Sequence, residues 1–228
     1  MRVVDAVPGA VAPAARPVVV LLHGFSMMAD DLAPFGASLG VSALFLFPEG
    51  PLDLAGRGVR GRAWWMIDTR RRAAAIARGD ERDLRDEDPP GLPAARQRLA
   101  GVLSEARARW PTRPLFLGGF SQGAILSLDL VLRGHPSLAG LILLSGGRVT
   151  DAAWRASMDS ARGVPIFQSH GRSDRELSFA AAADLASDLR AAGARHIFVP
   201  FDGGHEISLP VLRALKRFLR EPSVESSL

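Results

Sequence analysis

Residues 114–123, PLFLGGFSQG, carry an apolar strand pattern directly into Gly119-Phe120-Ser121-Gln122-Gly123. That pentapeptide is a G-x-S-x-G pattern, in which a serine sits on a tight turn between a strand and the helix that follows it. Such a turn lifts the Ser121 hydroxyl clear of the sheet, where a base and an acyl carbon can both reach it. The flanking glycines have a physical task, because side chains there would crowd a strained backbone and the helix packed against it. Ser121 is therefore the leading candidate nucleophile, and strand-turn-helix is the seed of the fold.

Outward from this unit, strand and helix patterns alternate. Residues 18–22 and 43–47 are continuous apolar runs of the kind buried on both faces of a parallel sheet. Residues 115–117, 141–144, 165–169 and 196–200 read as further strands, and 2–7 as a short edge strand before the Pro/Ala/Gly loop 8–17. Helical spacing covers 29–39, 92–110, 122–133, 177–192 and 209–219. In the second helix of the central unit Ile125, Leu128 and Leu132 are expected to face the sheet. In the last helix Leu212, Leu215 and Leu219 fall on one face while Arg213, Lys216 and Arg217 look outward. This order predicts one α/β domain over 1–228, a mostly parallel sheet with helices on both faces and right-handed crossovers.

Residues 52–90 interrupt the alternation as a loop or cap-like insertion. The first part, 52–65, has glycines at 56, 58 and 61 and reads as an excursion at one end of the sheet. The second, 70–90, joins Arg70-Arg71-Arg72 to an acidic cluster and Pro89-Pro90. It reads as a solvated insertion, placed so that it can border a substrate entrance.

Composition narrows the function classes. The 228 residues carry a formal charge of +4, from 28 basic and 24 acidic side chains, and every basic one except Lys216 is arginine. No basic run is interleaved with aromatics, so nucleic acid is not an expected partner. The chain has no cysteine, which removes disulfides, a thiolate nucleophile and cysteine metal sites, and suits a cytoplasmic protein. No apolar run approaches the roughly 18 residues of a membrane span. The first residues also lack a signal-peptide pattern.

Chemistry in such a sheet collects beyond the carboxyl ends of the strands. The strand ends here carry His23-Gly24-Phe25, the Ser121 turn, His170-Gly171-Arg172-Ser173-Asp174 and Gly203-Gly204-His205. His205 is the expected general base, since an imidazole can take the Ser121 proton near neutral pH and pass it to a leaving group. Asp174 is the expected carboxylate on the other ring nitrogen, fixing the tautomer and favouring the imidazolium. Asp202 is a rival acid, less suited because it precedes His205 by so few residues. Oxyanion donors are expected from the Gln122 N–H at the helix start and from the Phe25 N–H after the first long strand. His23 is expected to hydrogen-bond within that loop. A metal site from His23, Asp174 and His205 is the less economical reading, and acyl transfer by these groups requires no metal and no cofactor.

The segments LLHGF at 21–25, GGFSQGA at 118–124, HGRSD at 170–174 and GGHEIS at 203–208 resemble the phospholipase/carboxylesterase family of α/β-hydrolases, which includes the acyl-protein thioesterases. The resemblance runs from about residue 17 through the final helix. It implies an α/β-hydrolase fold, nucleophile Ser121, acid Asp174, base His205, and oxyanion donors Phe25 and Gln122. The stretch AWWMID at 63–68 is similar to the family's aromatic-aspartate segment, which leaves Trp64 and Trp65 to line the substrate site, to fasten its loop or to pack it against the sheet. Two departures touch the acyl pocket and no reacting group: Ala124 stands where a glycine is common, and RELSF occupies 175–179.

The expected activity is hydrolysis of a small-molecule carboxylic ester through an acyl-enzyme, with thioester hydrolysis, acyl transfer to another acceptor, and noncatalytic acyl-ligand binding as alternatives. An apolar or aromatic acyl group suits Phe25, Trp64, Trp65 and Met27 or Met28 wherever these face the pocket. The resemblance leaves a homodimer open.

Overall fold

A computed structural model of the protein describes residues 1–6, 16–80, 82–134 and 137–221. Most of the loop expected over 8–17 lies outside the described residues. Strands β1 (Arg2–Ala6), β2 (Val18–Leu22) and β3 (Ala43–Phe47) flank helix α1 (Ala29–Ser38). The short strands β4 (Leu52–Asp53) and β5 (Arg62–Ala63) and helix α2 (Thr69–Arg78) precede α3 (Leu92–Arg109). Then follow β6 (Leu115–Phe120), α4 (Gln122–Leu132), β7 (Gly140–Leu144), α5 (Asp151–Ala156), β8 (Pro165–Gly171), α6 (Phe179–Ala191), β9 (Arg195–Phe201) and α7 (Leu209–Arg220).

Seven strands form one sheet in the order β1-β3-β2-β6-β7-β8-β9. Only β1 runs antiparallel, Arg2 pairing with Phe47 and Ala6 with Ala43. The central register sets Leu22 beside Gly119 and Phe120 beside Leu144. Thus β6, which delivers Ser121, is flanked on both sides by parallel strands whose carboxyl ends point the same way.

Alternate side chains of β2 enter opposite cores, as the twofold pleat requires. Val18, Val20 and Leu22 pack with Leu99 and Leu103 of α3, Leu128 of α4 and Leu185 of α6. Val19 and Leu21 pack with Phe45, Phe47, Leu32 of α1 and Leu215 of α7. Each such side chain contributes about 1.5–3 kcal/mol when fully buried. The result is a sheet covered on both faces, the α/β-hydrolase architecture that the sequence implies.

Three details differ from the expectation. Every residue of α4 is buried, rather than one face, because α3 and the 3-10 turn Met158–Ala161 cover its outer side. Its buried Asp129 is accommodated by Arg96 Nη1 at 2.6 Å and Trp154 Nε1 at 2.9 Å. Helix α5 and that 3-10 turn carry no strong periodicity and were not expected from sequence. In α7, Val211, Leu215, Phe218 and Leu219 are buried while Leu212 is only partly so, a rotation of the inward face.

The insertion is more ordered than a solvated loop. Strands β4 and β5 pair antiparallel, and α2 starts at Asp68, whose side chain accepts from the Arg71 N–H. Residues 82–87 then form a strap hydrogen-bonded by its carbonyls: Ser178 N–H to Arg82 O, Asp151 N–H to Arg85 O and Thr150 N–H to Glu87 O, each 2.9 Å. This strap reaches the mouth of the site. Among the described residues no helix is long and apolar enough to cross a membrane.

Candidate active site

Ser121 sits between β6 and α4 with φ 55° and ψ −117°, a positive-φ conformation that costs a non-glycine residue about 1–3 kcal/mol. The Ser121 N–H donates to Leu144 O at 2.9 Å, while its carbonyl accepts from the Ala124 and Ile125 N–H groups. Strand and helix therefore hold the strained residue from both sides. A Cβ on Gly123 would lie 2.3 Å from Leu22 O, so only glycine lets the first turn of α4 approach β2 this closely.

The carboxyl ends of β8 and β9 bring the acid and the imidazole together. Backbone bonds from Arg172 N–H to Phe201 O (2.9 Å) and Ser173 N–H to Gly203 O (3.0 Å) stitch the two loops. Asp174 Oδ2 is 2.7 Å from His205 Nδ1, and Asp174 Oδ1 accepts from the Glu176 and Leu177 N–H groups at 2.8 and 3.0 Å. Because Nδ1 must donate to a carboxylate, Nε2 of neutral His205 is left as the proton acceptor. The His205 ring also packs on Phe120, centroids 4.8 Å apart.

His170, not singled out from the sequence, lies against the same acid. Its Nε2 is 3.1 Å from Leu177 O and 3.2 Å from Asp174 Oδ2. Burial works against the Asp174 charge, but hydrogen bonds from His170, His205 and the Leu177 N–H outweigh it and hold the carboxyl well below the usual carboxylate range. Asp202, the rival acid, points to solvent with 98% of its side chain exposed, and its ion-pair contact is with Arg172 at 3.6 Å.

Ser121, His205, Phe25 and Gln122 line one cleft of about 860 Å³, open mouth included. The Phe25 loop closes down on the serine: a Cβ on Gly24 would lie 3.2 Å from Ser121 Cβ. His23 supports this loop from beneath. It is buried, its Nδ1 donates to Gly24 O at 2.7 Å, and its Nε2 accepts from the Gly50 N–H at 2.9 Å. Burial lowers its pKa, which suits a neutral ring used on both nitrogens. Both nitrogens being occupied there, His23 does not join Asp174 and His205 as a metal ligand. Among the described residues no group of three or more His, Asp or Glu side chains converges on a metal position.

Of the side chains expected at the substrate, Met27 and Trp65 line the cleft and Met28 and Trp64 do not. Met28 instead occupies the N-cap position of α1. Trp64 is buried beneath the cleft, its Nε1 donating to His23 O at 2.9 Å. The Gln122 side chain fastens both tryptophans: Oε1 accepts from the Trp64 N–H and Nε2 donates to Trp65 O, each at 2.9 Å. Trp64 is thus a fastener and Trp65 a wall. The insertion adds Arg72, Arg82, Leu84, Glu87 and Pro89 to the lining, so it is not merely solvated.

A parallel sheet with a strained serine after β6, an acid after β8 and a histidine after β9 defines an α/β-hydrolase. The family model for phospholipase/carboxylesterase matches residues 9–222, and the chain belongs to that family. Carboxylesterase SOBER1 of Arabidopsis thaliana is 27% identical over 214 residues, 90% of each chain. Acyl-protein thioesterase 1 of Neurospora crassa is 26% identical over 184 residues, 78% of this chain and 73% of that one. The crystal structure of esterase PE8 superposes with a TM-score of 0.75 at 27% identity, covering 96% of this chain and 97% of that one.

Proposed function

We propose that the protein hydrolyses carboxylic esters by covalent catalysis at Ser121. The observation that carries this reading is the 2.7 Å contact of Asp174 with His205 Nδ1, which turns Nε2 toward proton acceptance beside a strained serine in the same cleft. His205 takes the Ser121 proton as Oγ adds to the ester carbonyl carbon. The carbonyl π electrons move to oxygen, and the Phe25 and Gln122 N–H groups receive that negative charge, the latter at the positive end of α4. Collapse of the tetrahedral intermediate breaks the bond to the alcohol oxygen, which leaves with the proton from His205. Water then repeats the sequence on the acyl-enzyme, freeing the acid and restoring Ser121.

Thioester hydrolysis is the second reading, supported by the similarity to acyl-protein thioesterase 1, and uses the same groups with a thiol as leaving group. A cysteine-free composition supports a cytoplasmic address. The test is steady-state turnover of ester and thioester pairs sharing one acyl group, with Ser121→Ala as control. Ester turnover that vanishes in the variant supports the proposal. Equal turnover in wild type and variant contradicts it.

A further inference from the structure

The rim of the cleft carries a cation that the reaction above does not use. Arg82 lines the cleft, and its side chain is 13% exposed. Among the described residues its side chain makes one direct hydrogen bond, from Nη1 to the Glu176 backbone carbonyl at 3.2 Å. The Glu176 carboxylate is 3.8 Å away and is already held by Arg72, through Nε at 2.6 Å and through Nη2. Glu87, the other carboxylate on the wall, is paired with Arg71 at 3.4 Å. The wall thus sets two guanidinium groups, Arg72 and Arg82, beside two carboxylates. Glu176 is taken up by Arg72 and Glu87 turns outward to the exposed Arg71, which leaves Arg82 without a carboxylate in hydrogen-bond contact among the described residues.

A guanidinium offers five donors in a fixed fork, and burying it without anionic partners is costly. Burial indeed pulls the Arg82 pKa below its ordinary value, the carboxylates of Glu176 and Glu87 opposing that shift. Holding Glu176 does not account for Arg82, since Arg72 already gives that carboxylate the two-point contact it favours. The strap also fixes Arg82 in place through the Ser178 N–H bond to its carbonyl. The nearby wall is apolar, formed by Ile67, Leu84, Ile125, Val149 and Leu177.

We propose that Arg82 receives an anionic group of the substrate, a carboxylate or phosphate joined through an apolar segment to the ester that Ser121 cleaves. This rests on the hydrolase reading and narrows its substrate class to charged esters. The anion can belong to the acyl half, as in a monoester of a dicarboxylic acid, or to the leaving group, as in an acylated glycerol phosphate.

The experiment compares kcat/KM for 4-nitrophenyl esters of simple fatty acids with 4-nitrophenyl monoesters of dicarboxylic acids of matched length. A second arm compares monoacylglycerol with monoacylglycerol phosphate. Wild type, Arg82→Met and, as an exposed control on the same insertion, Arg78→Met are measured, with circular dichroism confirming folding. Wild type is expected to favour the anionic member of one arm by about 10- to 100-fold, and Arg82→Met to lose that preference while Arg78→Met keeps it. The arm that responds identifies the source of the anion. No anionic preference in either arm, or a preference retained in Arg82→Met, overturns the proposal.

A failure of the hydrolase reading is distinguishable, because neutral esters would then also go unhydrolysed. Binding of free glutarate and adipate, read by tryptophan fluorescence, decides the anion site independently of turnover. Glycerol phosphate is titrated beside them; weakening of about tenfold or more for either kind of anion in Arg82→Met supports it, and equal affinity for both kinds overturns it.

Discussion

His170 Nε2 lies 3.2 Å from Asp174 Oδ2, the same oxygen that meets His205 Nδ1. Both acceptors around His170 Nε2, this carboxylate and Leu177 O, require that nitrogen to carry the proton. The contact would let His170 act as a positioning residue for the proposed acid. His170→Ala is expected to lower kcat about tenfold, the worth of one hydrogen bond to a charged group, and to move the acid limb of the pH profile upward as Asp174 turns its charge more fully on His205. His170→Gln, which can present an N–H near the same place, is expected to recover part of both. A purely structural role would lower thermal stability without moving the pH profile.

Asp174→Asn retains the shape of the acid and removes its charge. It is expected to reduce ester turnover by about 10³- to 10⁴-fold with modest loss of stability, because His205 loses its fixed tautomer and its imidazolium partner. Steady-state kinetics beside a urea titration check both halves.

Gln122→Ala removes the two bonds that fasten Trp64 and Trp65. It leaves the buried Trp64 N–H and Trp65 carbonyl without those partners, and is expected to destabilise the protein by about 2 kcal/mol. Turnover is expected to fall more for bulky acyl groups than for acetyl, because Trp65 forms the wall while the Gln122 N–H is retained. Denaturant unfolding and an acyl-length series measure the two effects.

The pH dependence of stability has an identifiable contributor away from the site. His196 Nε2 contacts Gln168 Oε1 at 2.8 Å, and Gln168 Nε2 donates to Ala182 O at 2.8 Å, which fixes the amide orientation and makes His196 Nε2 the donor. Its buried Nδ1 has no hydrogen-bond partner, so protonation there is unfavourable. Burial foremost, then Arg190, lowers its pKa from 6.5 to about 4. The unfolded chain thus binds this proton first on acidification, and stability present above 6.5 declines as pH falls toward 4. The gap in unfolding free energy between wild type and His196→Gln is expected to shrink by about 1–2 kcal/mol from pH 7 to pH 5. His23, also lowered by burial, acts in the same direction in both proteins, so the difference isolates His196.

The sheet was legible in the sequence because its strands are buried on both faces and read as unbroken apolar runs, as in residues 18–22 and 43–47. The meeting of Asp174 and His205 was legible because both follow carboxyl ends of neighbouring strands. Side-chain direction was not. Trp64 and Trp65 are neighbours of one type, yet one turns into the core and the other onto the cleft, a choice made by Gln122 many residues away. His170 stood in view within HGRSD, but nothing local indicated that its ring reaches the acid. Arg82 belongs to a charged segment without periodicity, and its place on the cleft depends on backbone bonds from Thr150, Asp151 and Ser178 to the strap that no local pattern records. Arg72, on α2, is drawn to the cleft by Glu176 from far along the chain.

Ser121→Gly is expected to be more stable than Ser121→Ala by about 1–2 kcal/mol, since glycine adopts the φ of 55° without the strain that alanine keeps. Thermal unfolding of the two variants measures this, and equal stability would mean that the turn is not strained.

The most direct test of the account is the site of covalent labelling by a fluorophosphonate, mapped by mass spectrometry after proteolysis. The account predicts one rapid adduct on the peptide containing Ser121 and none in a folded Ser121→Ala variant. An adduct that forms at the same rate in Ser121→Ala, or maps to another residue in the wild type, would contradict it.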